Sequence, residues 1–486
     1  MAGGRKSRAA AAAAPPRQTL VLDNGAYTLK AGLVARSDDD NDGDDSGATK
    51  KTPEEPRVIP NCIARDRHRR TYVGSELSRC RDFGEMAFRR PVERGYVVNW
   101  ETQREIWDRE LLDPKTSPRP CDPAEARLVL AEQPGALPAL QANCDQMVFE
   151  EFGFASYYRG IGPAFNAYHD IQSIFRTPRE ANAVARLPAE AILLVDAGHS
   201  CTTVTPLLRG RPLHPAVRRL NVGGKFMTNY LTRLLSLRHY DMRADPHIVN
   251  ELKEKACYVS LDFRADLERC WKGTRGEVRD DYLTGGGVAR DYVLPDFDAR
   301  FEGVVREYDP LRAARSAKKA ARGGGADPSA ATVAAAAAAA ADEDVLTLRN
   351  ERFSVPELLF NPSDAGGSSS RRPPRPGVAD LVMQSLAAVP TGLWPALLAN
   401  VVVVGGSALL DGFVQRLQQE VVQRVPDECI VRVARPADPV ASTWHGAAAF
   451  AAHPHADRLA VTRQEYEEHG ALWVARRFAA GLGLDD

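Results

Sequence analysis

Three glycine turns close apolar runs in this chain. Asp23-Asn24-Gly25 follows Leu20-Val21-Leu22, Asp196-Ala197-Gly198 follows Leu193-Leu194-Val195, and Gly405-Gly406-Ser407 follows Val401-Val402-Val403-Val404. A β-branched run reads as a buried strand, and a glycine at its exit lets backbone N–H groups approach an anion. Holding a triphosphate takes such donors, a cation and a magnesium ion. Gly25 and Gly198 are the expected donor turns. Lys30 is the expected point charge on a phosphate. Asp23 and Asp196 are expected to hold the waters around Mg²⁺, which keeps much of its own hydration shell. Gly405, Gly406 and Ser407 are expected at a helix N-terminus that receives base or ribose. One such turn alone is an ordinary hairpin or strand exit. Three in this order, two of them led by Asp, point to two similar halves gripping a nucleotide from both sides.

The elements that must carry these turns are legible in the apolar spacing. Residues 20–22 and 30–34 read as a hairpin around Asn24-Gly25. Helices are predicted over 101–112, from Gln146 through 152, over 226–237, over 249–258 and over 413–425, each with apolar residues three or four apart. Strand, turn, strand and helix in repeated order predict an α/β chain with two mixed sheets.

The bulk numbers exclude some classes. The 486 residues allow two or more domains with ample core. A formal net charge of -1 gives no global excess that argues for wrapping nucleic acid. The eight cysteines show no C-x-x-C pair, which argues against zinc and for reduced thiols of an intracellular protein. No apolar stretch is long enough to span a bilayer. Residues 1–18 read as a basic, solvated tail, since the composition of a transit peptide comes without an amphipathic face. Residues 36–56 hold an acidic run without EF-hand spacing, and 303–345 and 365–377 read as low-complexity inserts. Arg65-Asp66-Arg67-His68-Arg69-Arg70 reads as a solvated turn, with DNA phosphates as the sharper alternative.

The chain resembles the actin superfamily across nearly its whole length. Asp23-Asn24-Gly25 through Lys30-Ala31-Gly32 is similar to actin's first phosphate loop, and Val195-Asp196-Ala197-Gly198 to its second. Gln146-Met147-Val148-Phe149-Glu150 resembles the helix carrying actin's water-positioning glutamine. Lys253-Glu254-Lys255-Ala256-Cys257-Tyr258 resembles the nucleotide-contacting helix. Asn350-Glu351-Arg352-Phe353, Val404-Gly405-Gly406, Trp444 and Thr462-Arg463-Gln464-Glu465-Tyr466 follow in actin order. Stretches such as Ile59-Pro60-Asn61-Cys62, Gly95-Tyr96-Val97-Val98-Asn99-Trp100 and Asn221-Val222-Gly223-Gly224-Lys225 are most similar to the nuclear actin-related protein 6 class.

This resemblance implies an actin-like (ribonuclease H-like) fold, with two similar lobes around a nucleotide cleft. The first lobe would span 19–187 plus 442–486 and the second 188–441. It implies ATP or ADP with Mg as cofactor, Gly224, Lys253 and Glu254 as further nucleotide contacts, and Gln146 as the retained water-positioning residue. Departures from actin weigh against turnover. Ala26 and Tyr27 replace a small hydroxyl residue and a glycine, so that Tyr27 would crowd the γ-phosphate. His199, Thr203 and Val440 replace an acid, a histidine and a lysine. Hydrolysis needs an oriented water and stabilised developing charge. The short path from Arg70 to Tyr72-Val73-Gly74 lacks actin's long contact loop, so no filament is expected.

The implied function is a non-catalytic subunit of a SWR-type chromatin-remodelling complex, which exchanges H2A for H2A.Z in nucleosomes. Its partners would be a helicase-like remodeller ATPase, a zinc-finger HIT protein and the nucleosome's histones and DNA, with no membrane. The expected location is the nucleus, with the cytoplasm as a second location. An ATPase or phosphotransferase on the same fold, or a cytoskeletal actin-like protein, is the alternative.

Overall fold

The structure, a computed structural model, describes residues 16, 18–35, 55–169, 171–175, 190–270, 287–298, 300–308, 343–365 and 375–479. The basic tail before 16, the acidic run, most of the 303–345 segment and most of 365–377 lie outside the described residues. Two six-stranded mixed sheets organise the rest. In the first, strand Gln18–Asn24 lies between its hairpin partner Thr28–Ala35 and the parallel strand Ala126–Glu132. Strands Ser156–Ile161 and Val461–Thr462 extend the sheet on one side, and Arg57–Pro60 closes the other. In the second, Ala191–Ala197 lies between its hairpin partner Thr202–Leu208 and the parallel strand Val401–Val404.

The two cores repeat each other in register. Asp23 faces Lys30 across its hairpin and Ala131 on the parallel side. Asp196 faces Thr203 and Val404 in the same two directions. The third turn, after Val404, is therefore the counterpart of Glu132-Gln133 in the first sheet. These central strands are buried on both faces, as continuous Val/Leu/Ile runs require. Two apolar clusters form, the first around the first sheet and including Ile192, Leu194, Val402 and Val404 of the second sheet, the second including Leu193, Val195, Val401 and Val403. Trp107, Phe149, Tyr157 and Trp444 fill the first, and Met227, Leu252, Val403 and Phe413 fill the second. Trp444 is 1% exposed and donates its indole N–H to the Val21 carbonyl at 3.0 Å. Trp107 and Phe149 pack as core, as their apolar spacing implies.

Several expectations shift in detail. The helix expected to open at Gln146 runs instead over Pro138–Gln146 and ends there in a wide π-type turn, Met147–Glu151. Proline at the first helical position explains the earlier start. The 303–345 insert overlaps ordered sheet at both ends. Strands Val304–Glu307 and Val345–Leu348 flank Arg290–Val293 in a three-stranded sheet, because alternation turns Leu346 and Leu348 to one buried face. No helix among the described residues is long and apolar enough to cross a membrane.

Candidate functional site

The exits of the central strands meet in one cavity of about 560 Å³. Asp23, Asn24, Gly25 and Lys30 line it from the first sheet. Asp196, Gly198, Gly224, Lys253 and Glu254 line it from the second, joined by Gly405, Gly406 and Ser407. Every residue singled out for nucleotide contact thus faces the same space.

Gln146 does not. It is exposed, its amide donates to Glu150 at 3.0 Å, and it lies outside the cavity lining. Its neighbour Asp145 is the residue that turns inward, bonded to the Arg159 guanidinium at 2.8 Å. An apolar helix pattern fixes which face is buried, and that face here carries Asp145, Val148 and Phe149 and turns Gln146 to solvent. The short helix Gly162–Phe165, which follows strand Ser156–Ile161, brings Gly162 to the cavity, and Gly162 has no side chain to orient a water.

The first turn is braced from behind. Asn24 donates to Gln103 at 3.1 Å and accepts from the Trp107 indole at 3.3 Å, so its side chain serves the turn rather than a ligand. Asn61, from the Ile59-Pro60-Asn61-Cys62 motif, donates to the Gly25 carbonyl at 2.8 Å and accepts from Gln103 at 3.1 Å. A Cβ on Gly25 would stand 2.5 Å from the Thr28 carbonyl oxygen, so only glycine closes this turn. The N–H groups of Gly25 and Gly198 are consumed within their own turns, by Asp23 and Cys201 carbonyls at 3.1 Å each. This corrects the expectation that these two glycines donate. The backbone N–H groups of Ala26, Tyr27, His199 and Ser200 make no backbone bond among the described residues, and these are the free donors.

The third turn is set by Gly405, whose φ of +91° suits glycine, and whose added Cβ would lie 2.6 Å from the Ala197 carbonyl. It is followed by a short 3₁₀ turn, Gly406–Leu409, not by the expected helix N-terminus. The helix begins only at Phe413, after a second positive-φ glycine, Gly412.

Charge at the cavity floor is concentrated in Asp23, Lys30 and Asp196. Lys30 pairs with Asp23 at 3.1 Å. Burial, and then repulsion from Asp23, push the Asp196 carboxyl up to about 7, while Lys30 pulls the other way. Two enclosed carboxylates with one lysine suit a hydrated divalent cation, which would relieve that repulsion. Lys253 is buried, and its ammonium is taken up by Asn250 at 2.7 Å, Thr228 at 2.9 Å and the Gly224 carbonyl at 3.4 Å. It orders the cavity wall. Thr203, in its buried strand, does not reach the cavity.

Sequence reasoning noticed Tyr27 but missed its partners. The Tyr27 phenol accepts from Asn250 at 3.1 Å, its ring lies 4.8 Å from the His199 ring, and the Arg90 guanidinium sits 4.4 Å over it. Burial chiefly drives the phenol up to about 12. Glu132 and Gln133 also line the cavity, with Glu132 held by Gln141 at 2.8 Å and Arg159 at 3.2 Å. The repeat of the two sheets was the signal that could have found them, since they occupy the place of Gly405 and Gly406.

Two sheets of matching register, closing on a glycine-turned cleft with paired carboxylates, define an actin-fold nucleotide-cleft architecture. The actin family matches residues 14–479, and the chain belongs to that family. It is 63% identical over 483 residues to actin-related protein 6 of Neurospora crassa, covering 99% of both chains. It is 44% identical to the actin-like protein arp6 of Aspergillus fumigatus, over 99% of this chain and 100% of that one. Against actin-related protein 6 of Drosophila melanogaster it is 30% identical, over 94% and 99%.

Proposed function

We propose that this chain is a non-catalytic, nucleotide-holding subunit of a SWR-type remodelling complex in the nucleus, where H2A is exchanged for H2A.Z. The observation that carries this reading is full-length similarity to proteins named actin-related protein 6, joined to a cleft that keeps its phosphate turns. The cavity would take ADP or ATP with Mg²⁺. Asp23 and Asp196 would hold the hydrated ion, Lys30 a phosphate, and the free N–H groups after each glycine the phosphate oxygens. The ion supplies charge neutralisation between the phosphates and the two carboxylates. A ligand bound across both sheets stabilises the folded chain alone, which suits a structural role.

Turnover is disfavoured by the same geometry. Gln146 lies outside the cleft, Gly162 offers no side chain, and Lys253 is committed to neutral partners. The helicase-like ATPase of the complex would supply energy, and a zinc-finger HIT protein would dock this subunit beside nucleosomal DNA and histones. Affinity purification of the tagged chain from nuclei, with mass spectrometry of its partners, tests the assignment. Recovery of a large assembly containing a helicase-like ATPase and a zinc-finger HIT protein is expected. Recovery with cytoskeletal proteins only, or as a free monomer, overturns it.

A further inference from the structure

Building on the nucleotide reading, we propose that the Tyr27–His199 pair tunes the cavity to a nucleoside diphosphate and against a nucleoside triphosphate. Tyr27 comes from the first turn and His199 from the second. Their ring centroids lie 4.8 Å apart, so a phenol and an imidazole stand across the gap between the two turns. Polyphosphate laid along these turns meets that wall at its far end.

Tyr27 is fixed on several sides. Its phenol accepts from Asn250, its carbonyl accepts from the Asn61 N–H at 2.8 Å, and Arg90 both covers its ring and donates to that carbonyl at 3.1 Å. Swinging the ring aside breaks the Asn250 bond and uncovers the arginine. The cation over the aromatic face adds its attraction to what must be given up in that move.

A third phosphate also lacks a free counter-charge there. Arg90 is held by Tyr27 and Asn61, Lys253 by three neutral acceptors, and Lys225 by Glu93 at 2.9 Å. His199 stays neutral, because burial and then Arg90, Lys253 and Lys225 hold its imidazole down to about 3. Lys30 remains at the other end of the turn, paired with Asp23.

The test is calorimetric titration of the nucleotide-free, full-length chain with Mg·ADP and with Mg and a triphosphate carrying a non-hydrolysable β–γ bridge. The wild type is expected to bind the diphosphate at least about tenfold more tightly, a difference of about 1.4 kcal/mol. Tyr27→Gly is expected to bring the two within about threefold of each other, by tightening the triphosphate alone. Tyr27→Phe keeps the ring and loses the Asn250 bond, and should keep the preference. His199→Ala removes the opposing ring and gives the same readout if Tyr27→Gly does not fold. Equal or tighter triphosphate binding by the wild type overturns the proposal, as does a preference that survives loss of both rings. Binding of neither nucleotide overturns the cofactor reading itself, a separate and recognisable result.

Discussion

Asp196 and His199 make opposite demands on pH, and that opposition is measurable. The Asp196 carboxyl, lifted to about 7, holds its proton more tightly folded than unfolded, where carboxyls titrate near about 3.9. Its contribution to stability is complete below that lower value and is lost as pH rises toward 7. The His199 imidazole, held down to about 3, refuses a proton that the unfolded chain takes near about 6.5. Its contribution is complete above that value and is lost as pH falls toward 3. The two effects offset each other in the wild type between about pH 4 and 6.5. Denaturant titrations of the ligand-free protein should therefore separate them. Relative to wild type, Asp196→Asn should gain stability as pH rises from 4 to 7, and His199→Gln should lose it from 3 to 6.5. Flat difference curves would contradict both assignments. Neither shift was legible in the sequence, because each arises first from burial in the folded cleft and then from charges distant in the chain, Asp23 for one and Arg90, Lys253 and Lys225 for the other.

Turns and helices differ in how much of their geometry the sequence carries. The hairpin at Asn24-Gly25 and the turn after Asp196 were readable, since a β-branched run ending in glycine has few other solutions. The direction of the Asn24 side chain was not, because Gln103 and Trp107 lie on a separate helix. Gln146 was misread for the same reason: its segment matches, but the face it occupies depends on Asp145 finding Arg159. Two element-scale outcomes follow. Gly405→Ala must hold a φ of +91° and a Cβ against the Ala197 carbonyl, so a loss of about 1–3 kcal/mol is expected in chemical denaturation. Trp444→Ala should cost about 3–5 kcal/mol, because it empties a site between the first hairpin and its covering helix. Trp444→Phe should cost less, about 1–2 kcal/mol, chiefly from the Val21 carbonyl left without its indole donor.

At the scale of the molecule, the two halves are tied around the cavity by direct contacts between them. Phe83 stacks on His247 at 4.2 Å, the Glu85 N–H reaches Asp245 at 2.9 Å, and Arg219 donates to the Tyr96 phenol at 2.8 Å. Mg·ADP at about one hundred times its dissociation constant should add about 2.7 kcal/mol to folding stability, seen as a concentration-dependent rise in melting temperature. Strands Ile63–Arg65 and Thr71–Val73 are joined by a short turn where actin has a long contact loop. Sedimentation in Mg²⁺ and ATP should therefore show no polymer. On the proposed function, the phosphate grip is kept as architecture without turnover. Phosphate release by the purified full-length chain in saturating Mg·ATP is the measurement that decides this. Release no faster than the buffer blank, with nucleotide recovered intact from the protein, is expected; steady release that Asp196→Asn abolishes would contradict it.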